Sequence, residues 1–299
     1  MQLAFFDMKA TGYTIGGSMV LSNTLAEKYV TLGGKIHYNS KVKKIIVEDG
    51  KATGIILDNG REIYSDTIIS AADGRFTIFD ALEGQYVDEK LLNLYNNQEP
   101  YEIFYSAVLV SLGVAKTFED APEHLRFQLD EPMNLPDGTK ITHLEVNTYN
   151  YDPTLAPSGK TVISVQINTK NYDYWQNLRE RSREQYKDEK NYVAEKVIDI
   201  LETKLGPLRE RVEVVDVATP ATFHRYTNNW FGSIQGWMPP DDFLTSQPLE
   251  KELPGLTHFY MFGQWVWPGG GLPTALLEGR NVAQIICKRD NRKFKVDAA

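Results

Sequence analysis

A run of three glycines between a strand-like stretch and a helix-like stretch limits this chain more than any other feature. Met261-Phe262-Gly263-Gln264-Trp265-Val266-Trp267-Pro268-Gly269-Gly270-Gly271-Leu272-Pro273 follows an apolar run from His258 and precedes a pattern of helical character over 274–288. Proline suits the first helical turn, where its missing N–H costs nothing. Strand, stripped loop and helix start therefore come in order. Glycines let a backbone approach a ligand closely, and the orphan N–H groups of a helix start, with the macrodipole, favour a negatively charged group. From these residues alone, a glycine-rich turn between two core elements fits as well.

Further motifs sharpen the reading. Thr14-Ile15-Gly16-Gly17-Ser18-Met19 opens a helical pattern that continues through Leu32, Gly33-Gly34 stops it, and Lys35-Ile36-His37-Tyr38-Asn39 reads as a strand. Val42-Lys43-Lys44-Ile45-Ile46-Val47 and Ala52-Thr53-Gly54-Ile55-Ile56-Leu57 read as paired strands around Glu48-Asp49-Gly50, followed by Asp66-Thr67-Ile68-Ile69-Ser70-Ala71-Ala72-Asp73. Ala218-Thr219-Pro220-Ala221-Thr222 and Phe231-Gly232-Ser233-Ile234-Gln235-Gly236 come later in the chain. In content and order these motifs, from about Gly16 to Lys288, resemble the phytoene desaturase and carotenoid isomerase family of FAD-dependent oxidoreductases.

The resemblance implies an α/β (α+β mixed) fold: an incomplete FAD/NAD(P)-binding Rossmann-like domain and a substrate domain with a mixed or antiparallel sheet and helices. It implies FAD as cofactor and an apolar polyene or lipid-like small molecule as substrate. It assigns Gly270, Gly271, Leu272 and Pro273 to the cofactor, the last three at the isoalloxazine edge, and Gly263 with Gln264 to the ribityl and pyrophosphate region. Many relatives carry an acid where Gln264 stands. Val42 matches a position whose backbone touches adenine, although a plain core valine of a strand also fits it. Gly232, Ser233 and Gly236 match a segment beside the flavin, and two turn glycines would look the same. His224 lies between these motifs, as a proton donor or acceptor or as a structural residue. No protein nucleophile is expected, because a flavin carries the hydride chemistry itself.

One expected part has no counterpart in the sequence. A Gly-x-Gly-x-x-Gly turn between a strand and a helix receives the dinucleotide pyrophosphate in such enzymes. Gly269 and Gly271 have the first spacing, but Thr274 holds the third glycine position. Gly12 to Gly17 has phosphate-loop spacing, but Ser18 stands where a lysine would contact phosphates. The chain thus reads as the C-terminal portion of a flavoenzyme, a truncated form or one half of a split protein. Several lost bonds, each worth about 0.5–1.5 kcal/mol or more when the acceptor is charged, lower affinity by at least roughly two to three orders of magnitude. FAD binding by the chain alone is therefore expected to be weak or absent, and the chain alone inactive. Its partners would be the missing N-terminal half or further copies of itself, joined through exposed apolar surface. The alternative reading is a lipid- or partner-binding module without redox activity, or an inactive relic.

Composition sets outer bounds. At 299 residues and 42% hydrophobic, the chain can bury one large core or two modest ones. A net charge of −8 argues against nucleic acid as a partner. The single cysteine, Cys287, excludes an internal disulfide and reads as a small core residue. Histidines 37, 124, 143 and 258 lack metal-ligand spacing, so no metal is expected. Without a secretory signal pattern or a long apolar run, a cytoplasmic location is the default. A lipid-like substrate would add a peripheral contact with a membrane.

The domain boundaries follow the texture of the chain. Residues 17–73 and 256–299 read as the partial FAD-binding domain, and 1–16 with 74–255 as the substrate domain, where aromatic-rich strands alternate with turns such as Leu135-Pro136-Asp137-Gly138 and Ala156-Pro157-Ser158-Gly159. A long helix over 186–204 carries an apolar stripe of Tyr192, Val193, Val197, Ile200 and Leu201, and Gly206-Pro207 stops it.

Overall fold

The computed structural model describes residues 7–8, 12–118, 121–240 and 248–296. Most of the N-terminal stretch over 2–13 lies outside the described residues. The fold is mixed α/β, as expected, and divides into two compact units. One comprises Met1–Asn39, Val108–Ile167 and Ser182–Val217, and the other Ser40–Ala107, Asn168–Arg181 and Ala218–Ala299. Compactness thus groups 17–39 with the first unit and 74–107 with the second, along different lines from the functional division read from the sequence.

The first unit holds most of a five-stranded sheet. Its strands are β5 (Ser106–Val114), β6 (His124–Asn134), β7 (Lys140–Thr148), β8 (Thr161–Thr169) and β9 (Val212–Ala218), in the order β6-β7-β8-β5-β9. β6, β7 and β8 pair antiparallel in sequence. Alternation along β5 buries Val108, Val110, Leu112 and Val114, and β8 buries Ile163, Val165 and Ile167. Helix α4 (Arg183–Leu205) opens where the Ser182 hydroxyl accepts the N–H of Gln185 at 3.2 Å, and closes at Gly206 with φ 78°. It buries Tyr186, Val193, Ala194, Val197, Ile198 and Leu201. The expected stripe is therefore corrected at two positions. Ala194 and Ile198 flank the Val193-Val197-Leu201 row on its buried side, which leaves Tyr192 exposed and Ile200 half-buried. Full burial of each Val, Ile or Leu contributes about 1.5–3 kcal/mol.

Helix α1 (Gly17–Thr31) belongs to the same unit and buries none of its residues. The Gly16 N–H at its start donates to the Asp152 carboxylate at 2.7 Å. The strand expected over 35–39 does not form: the segment has no regular structure and ends on Asn39 with φ 53°, a left-handed turn conformation.

In the second unit, β1 (Val42–Glu48), β2 (Lys51–Leu57) and β3 (Glu62–Tyr64) form an antiparallel meander. The hairpin pairs Glu48 with Lys51, and Asp49 and Gly50 between them take φ 49° and 71°, the double left-handed turn that suits Asp-Gly. β4 (Ile68–Ser70) runs parallel to β10 (Phe259–Met261), pairing Ile68 with Phe259 and Ser70 with Met261. A single π-helical segment, Phe76–Ala81, follows β4. Helix α2 (Glu89–Asn97) is capped by Asp88, which accepts the N–H of Leu91 at 2.9 Å. α3 (Tyr172–Arg181), α5 (Pro220–Thr227) and α6 (Leu272–Arg289) complete the unit. Ile78, Leu94, Tyr95, Trp237, Phe259 and Trp265 lie in its core. Cys287 on α6 is half-buried instead of a core residue. No helix among the described residues is long and apolar enough to cross a membrane.

Candidate functional site

All eleven residues singled out from the sequence fall in the second unit. β10 is buried throughout and delivers the chain into a loop over 262–271. Gly263, Gly269, Gly270 and Gly271 all take positive φ there, at 96°, 91°, 47° and 89°. α6 then starts without a side-chain cap and with Pro273 in its first turn. Its first N–H groups have no intrahelical acceptor and point their partial positive charge out of the helix start. Gly271, Leu272 and Pro273 are exposed there.

The second loop begins at α5. The Thr219-Pro220-Ala221-Thr222 motif is a capping box with proline at the helix start, so its chemistry is local: the Thr219 N–H donates to the Thr222 hydroxyl at 3.2 Å. Asn228, with φ 59°, ends the helix. The chain then folds tightly over 229–236. The Ser233 hydroxyl accepts the Gly236 N–H at 2.9 Å, and the Asn229 amide donates to the Ser233 carbonyl at 3.0 Å. The Ser106 hydroxyl donates to the Gly232 carbonyl at 2.8 Å. Gly232 is obligatory, since a Cβ there would lie 2.4 Å from the Pro220 carbonyl oxygen.

These two loops are stitched together. A Cβ on Gly236 would lie 2.4 Å from the Gln264 carbonyl oxygen, and one on Gly270 would lie 2.6 Å from that of Gln235. The Gly269 N–H donates to the Trp237 carbonyl at 2.8 Å, and the Trp237 indole to the Trp265 carbonyl at 3.2 Å. The Trp265 indole donates to the Asn229 side chain at 3.3 Å. Gly232, Ser233, Gly236, Gln264 and Gly270 thus form one framework from two distant segments. Gly263 and Gly271 differ: a Cβ at Gly263 would meet nothing within 4 Å, and one at Gly271 only the Pro273 Cδ at 3.9 Å. Open space therefore borders the backbone at both glycines: at Gly271, exposed at the uncapped helix start, and at Gly263, itself buried just after β10. That arrangement fits a flat, negatively charged group.

Val42 and His224 meet elsewhere, on a cavity of about 640 Å³ whose wall includes Asp73, Arg75, Phe76 and Trp230. The His224 Nδ1 is 2.9 Å from the Asn229 carbonyl oxygen. A carbonyl only accepts, so Nδ1 carries the hydrogen and Nε2 keeps its lone pair while the ring is neutral. The ring also packs edge-on to Tyr172, at 5.3 Å between centroids. Trp230 and Phe231 stack at 5.1 Å, and Phe231 takes φ 51°, a strained conformation for a bulky residue.

Several buried polar groups escape sequence reasoning. Asp73 ends the β4 run, is 4% exposed, and accepts N–H groups from Phe76 and Trp230, each at 2.8 Å. Burial pushes its carboxyl up from the usual range, against those hydrogen bonds and the charge of His224. Burial also raises the Tyr95 phenol, with the Asp73 charge adding to it. The available signal was an acid at the carboxyl end of an apolar strand, immediately before Gly74. Glu278 on α6 is fully buried and pairs with Lys251 at 2.7 Å, while accepting from the Asn281 amide at 3.0 Å. Its partner lies 27 residues away in sequence and has no local pattern to reveal it.

Residues 2–287 match the family of flavin containing amine oxidoreductases. The chain is 32% identical over 273 residues to a chloroplastic prolycopene isomerase of Daucus carota, covering 89% of this chain and 42% of the relative. It is 28% identical over 305 residues to a 4,4'-diapophytoene desaturase (4,4'-diapolycopene-forming) of Methylomonas sp, covering 94% and 54%. A solved oxidoreductase of Methanosarcina mazei shares the fold, with a TM-score of 0.55 at 18% identity over 90% of this chain and 54% of that one. The chain spans about half the length of the curated relatives it matches. It belongs to the flavin containing amine oxidoreductase family, and the resemblance to its carotenoid desaturases and isomerases holds over most of the chain.

Proposed function

From that membership and the two stitched loops, we propose that this chain supplies the flavin-edge and substrate-facing portion of an FAD-dependent oxidoreductase of the carotenoid desaturase, isomerase or saturase type. Its substrate is an apolar polyene or lipid-like molecule, and the chain by itself binds FAD weakly. The observation that carries this reading is the exposed, open backbone of Gly271 at the uncapped start of α6, with space also left beside Gly263.

When bound, FAD supplies hydride acceptance. The protein's own part is orientation and electrostatics. The start of α6 at Gly271, Leu272 and Pro273 offers backbone positive potential to an anionic ring edge. Gly263 and Gln264 lie toward the ribityl and pyrophosphate portion, with Gly270 and Gly236 holding the loop that presents them. Val42 offers strand backbone to adenine. Gly232 and Ser233 fix the loop that borders the ring. His224 lines the cavity it shares with Val42, where, with its lone pair at Nε2, it would accept or donate a proton. The domain division into 17–73 with 256–299 and 1–16 with 74–255 belongs to the same proposal. Weak binding follows because the 299 residues hold no Gly-x-Gly-x-x-Gly turn to receive the pyrophosphate.

Two measurements on the purified chain test this. Equilibrium dialysis against FAD should give saturable binding, and gel filtration should then strip the flavin, leaving a colourless protein. Absence of saturable uptake would contradict the site, and a flavin spectrum that co-elutes with the protein would contradict the weakness.

A further inference from the structure

Asp73 is a buried acid that the proposed chemistry does not use. Among the described residues no Lys, Arg or His stands within ion-pair distance of it. Its charge is met by main-chain N–H groups: Phe76 on Oδ1 and Trp230 on Oδ2, both at 2.8 Å. These two donors lie 154 residues apart in sequence, on the π-helical segment after β4 and on the loop after α5. Burying a carboxylate with only the charge of His224, beyond ion-pair distance, to offset it is a costly way to obtain stability. What the carboxylate provides is two acceptor oxygens at once. An amide has one acceptor oxygen and would turn its NH2 toward one of the two donors.

The held residue adjoins the one that needs holding. Trp230 precedes Phe231, whose φ of 51° persists only if its neighbours over-determine it. Asn229, on the other side, fixes the His224 tautomer through its carbonyl and ties Ser233 to Trp265 through its side chain. We propose that Asp73 is the positioning residue of the loop over 229–236: its carboxylate anchors Trp230 by the backbone N–H and so sets the arrangement of Asn229, His224, Phe231 and Ser233. Its consequence for catalysis rests on the reading of that loop as flavin-proximal, whereas the anchoring itself does not.

The test uses the chain without flavin. By NMR, the Trp230 amide of Asp73→Asn should exchange with solvent at least tenfold faster than in wild type, while amides of the other unit, such as those of Val165 and Leu201, keep their rates. In wild type, the Trp230 amide shift should follow one titration with a midpoint above the ordinary carboxylate range, and this titration should vanish in the variant. The other titratable groups facing Asp73 and its cavity are His224, Tyr95, Arg75, Lys41, Lys43, Asp58 and Asp80. A His224→Gln control that leaves the Trp230 titration in place assigns it to Asp73. If Asp73→Asn does not fold, the wild-type titration with this control decides. An unchanged Trp230 amide, a loss of protection shared equally by both units, or a titration that disappears with His224 would overturn the proposal. Flavin dialysis is scored separately, so failure of the flavin site leaves the anchoring result intact, and the reverse.

Discussion

Gly236 and Gly270 have backbone oxygens where their Cβ would be, whereas Gly263 and Gly271 have open space. The four residues lie in or against one glycine-rich loop, and their residue type is the same. Two of them allow a loop-to-loop seam that no side chain would fit. Of the other two, Gly271 bares the main chain toward solvent at the start of α6, and Gly263 is buried but leaves space where its Cβ would be. α6 repeats the contrast along its own length, with Glu278 fully buried on one side and Leu272 and Leu276 exposed to 59% and 62% on the other. A glycine motif is thus both framework and surface, and only the neighbours of each missing Cβ tell the two apart.

The contrast can be broken from its packed side first. Lys251→Met leaves the fully buried Glu278 without its counter-ion and should cost about 3–5 kcal/mol, read as a fall in the urea midpoint. Gly236→Ala combines a left-handed conformation at φ 74° with a Cβ 2.4 Å from a backbone oxygen, and should cost about 3 kcal/mol. The open side should respond differently. Gly271→Ala meets only the Pro273 Cδ at 3.9 Å, but φ 89° with ψ 167° is a region kept by glycine, so it should cost about 1–3 kcal/mol in strain while FAD uptake falls at least tenfold. Smallest of all, Leu276→Gln should move stability by less than about 0.5 kcal/mol, since its side chain is already in solvent. If this exposed face drives self-association, sedimentation of that variant should shift toward the monomer.

Much of the framework is legible in the sequence wherever the signal is local. The β1–β2 hairpin follows from Asp49-Gly50 between two apolar runs, and α4 from its period and its Gly206-Pro207 stop. The order β10, loop and α6 follows from Gly269-Gly270-Gly271 and Pro273. Local signals also mislead. Residues 35–39 have strand-like residues, but they take no strand conformation and end on a left-handed Asn39. β6 is hidden by Asp130-Glu131-Pro132 in its middle, where its register to β7 shifts between Gln128 and Met133. The site is least legible of all. That Gly236 faces Gln264, that Asp73 holds Trp230 and that Lys251 finds Glu278 are through-space facts with no periodicity to betray them. α1 shows the same limit from the other side, for its helical pattern is plain and yet nothing in it forecasts that Met19, Leu25 and Val30 stay exposed.

The open backbone at the start of α6 is proposed to be the cofactor-facing part of this chain. Equilibrium dialysis of FAD against wild type, Gly271→Ala and Leu276→Gln, all folded by circular dichroism, tests it most directly. Wild type and Leu276→Gln should take up FAD saturably, with a loss of at least tenfold in Gly271→Ala. Equal uptake by all three, or none by wild type, would contradict it.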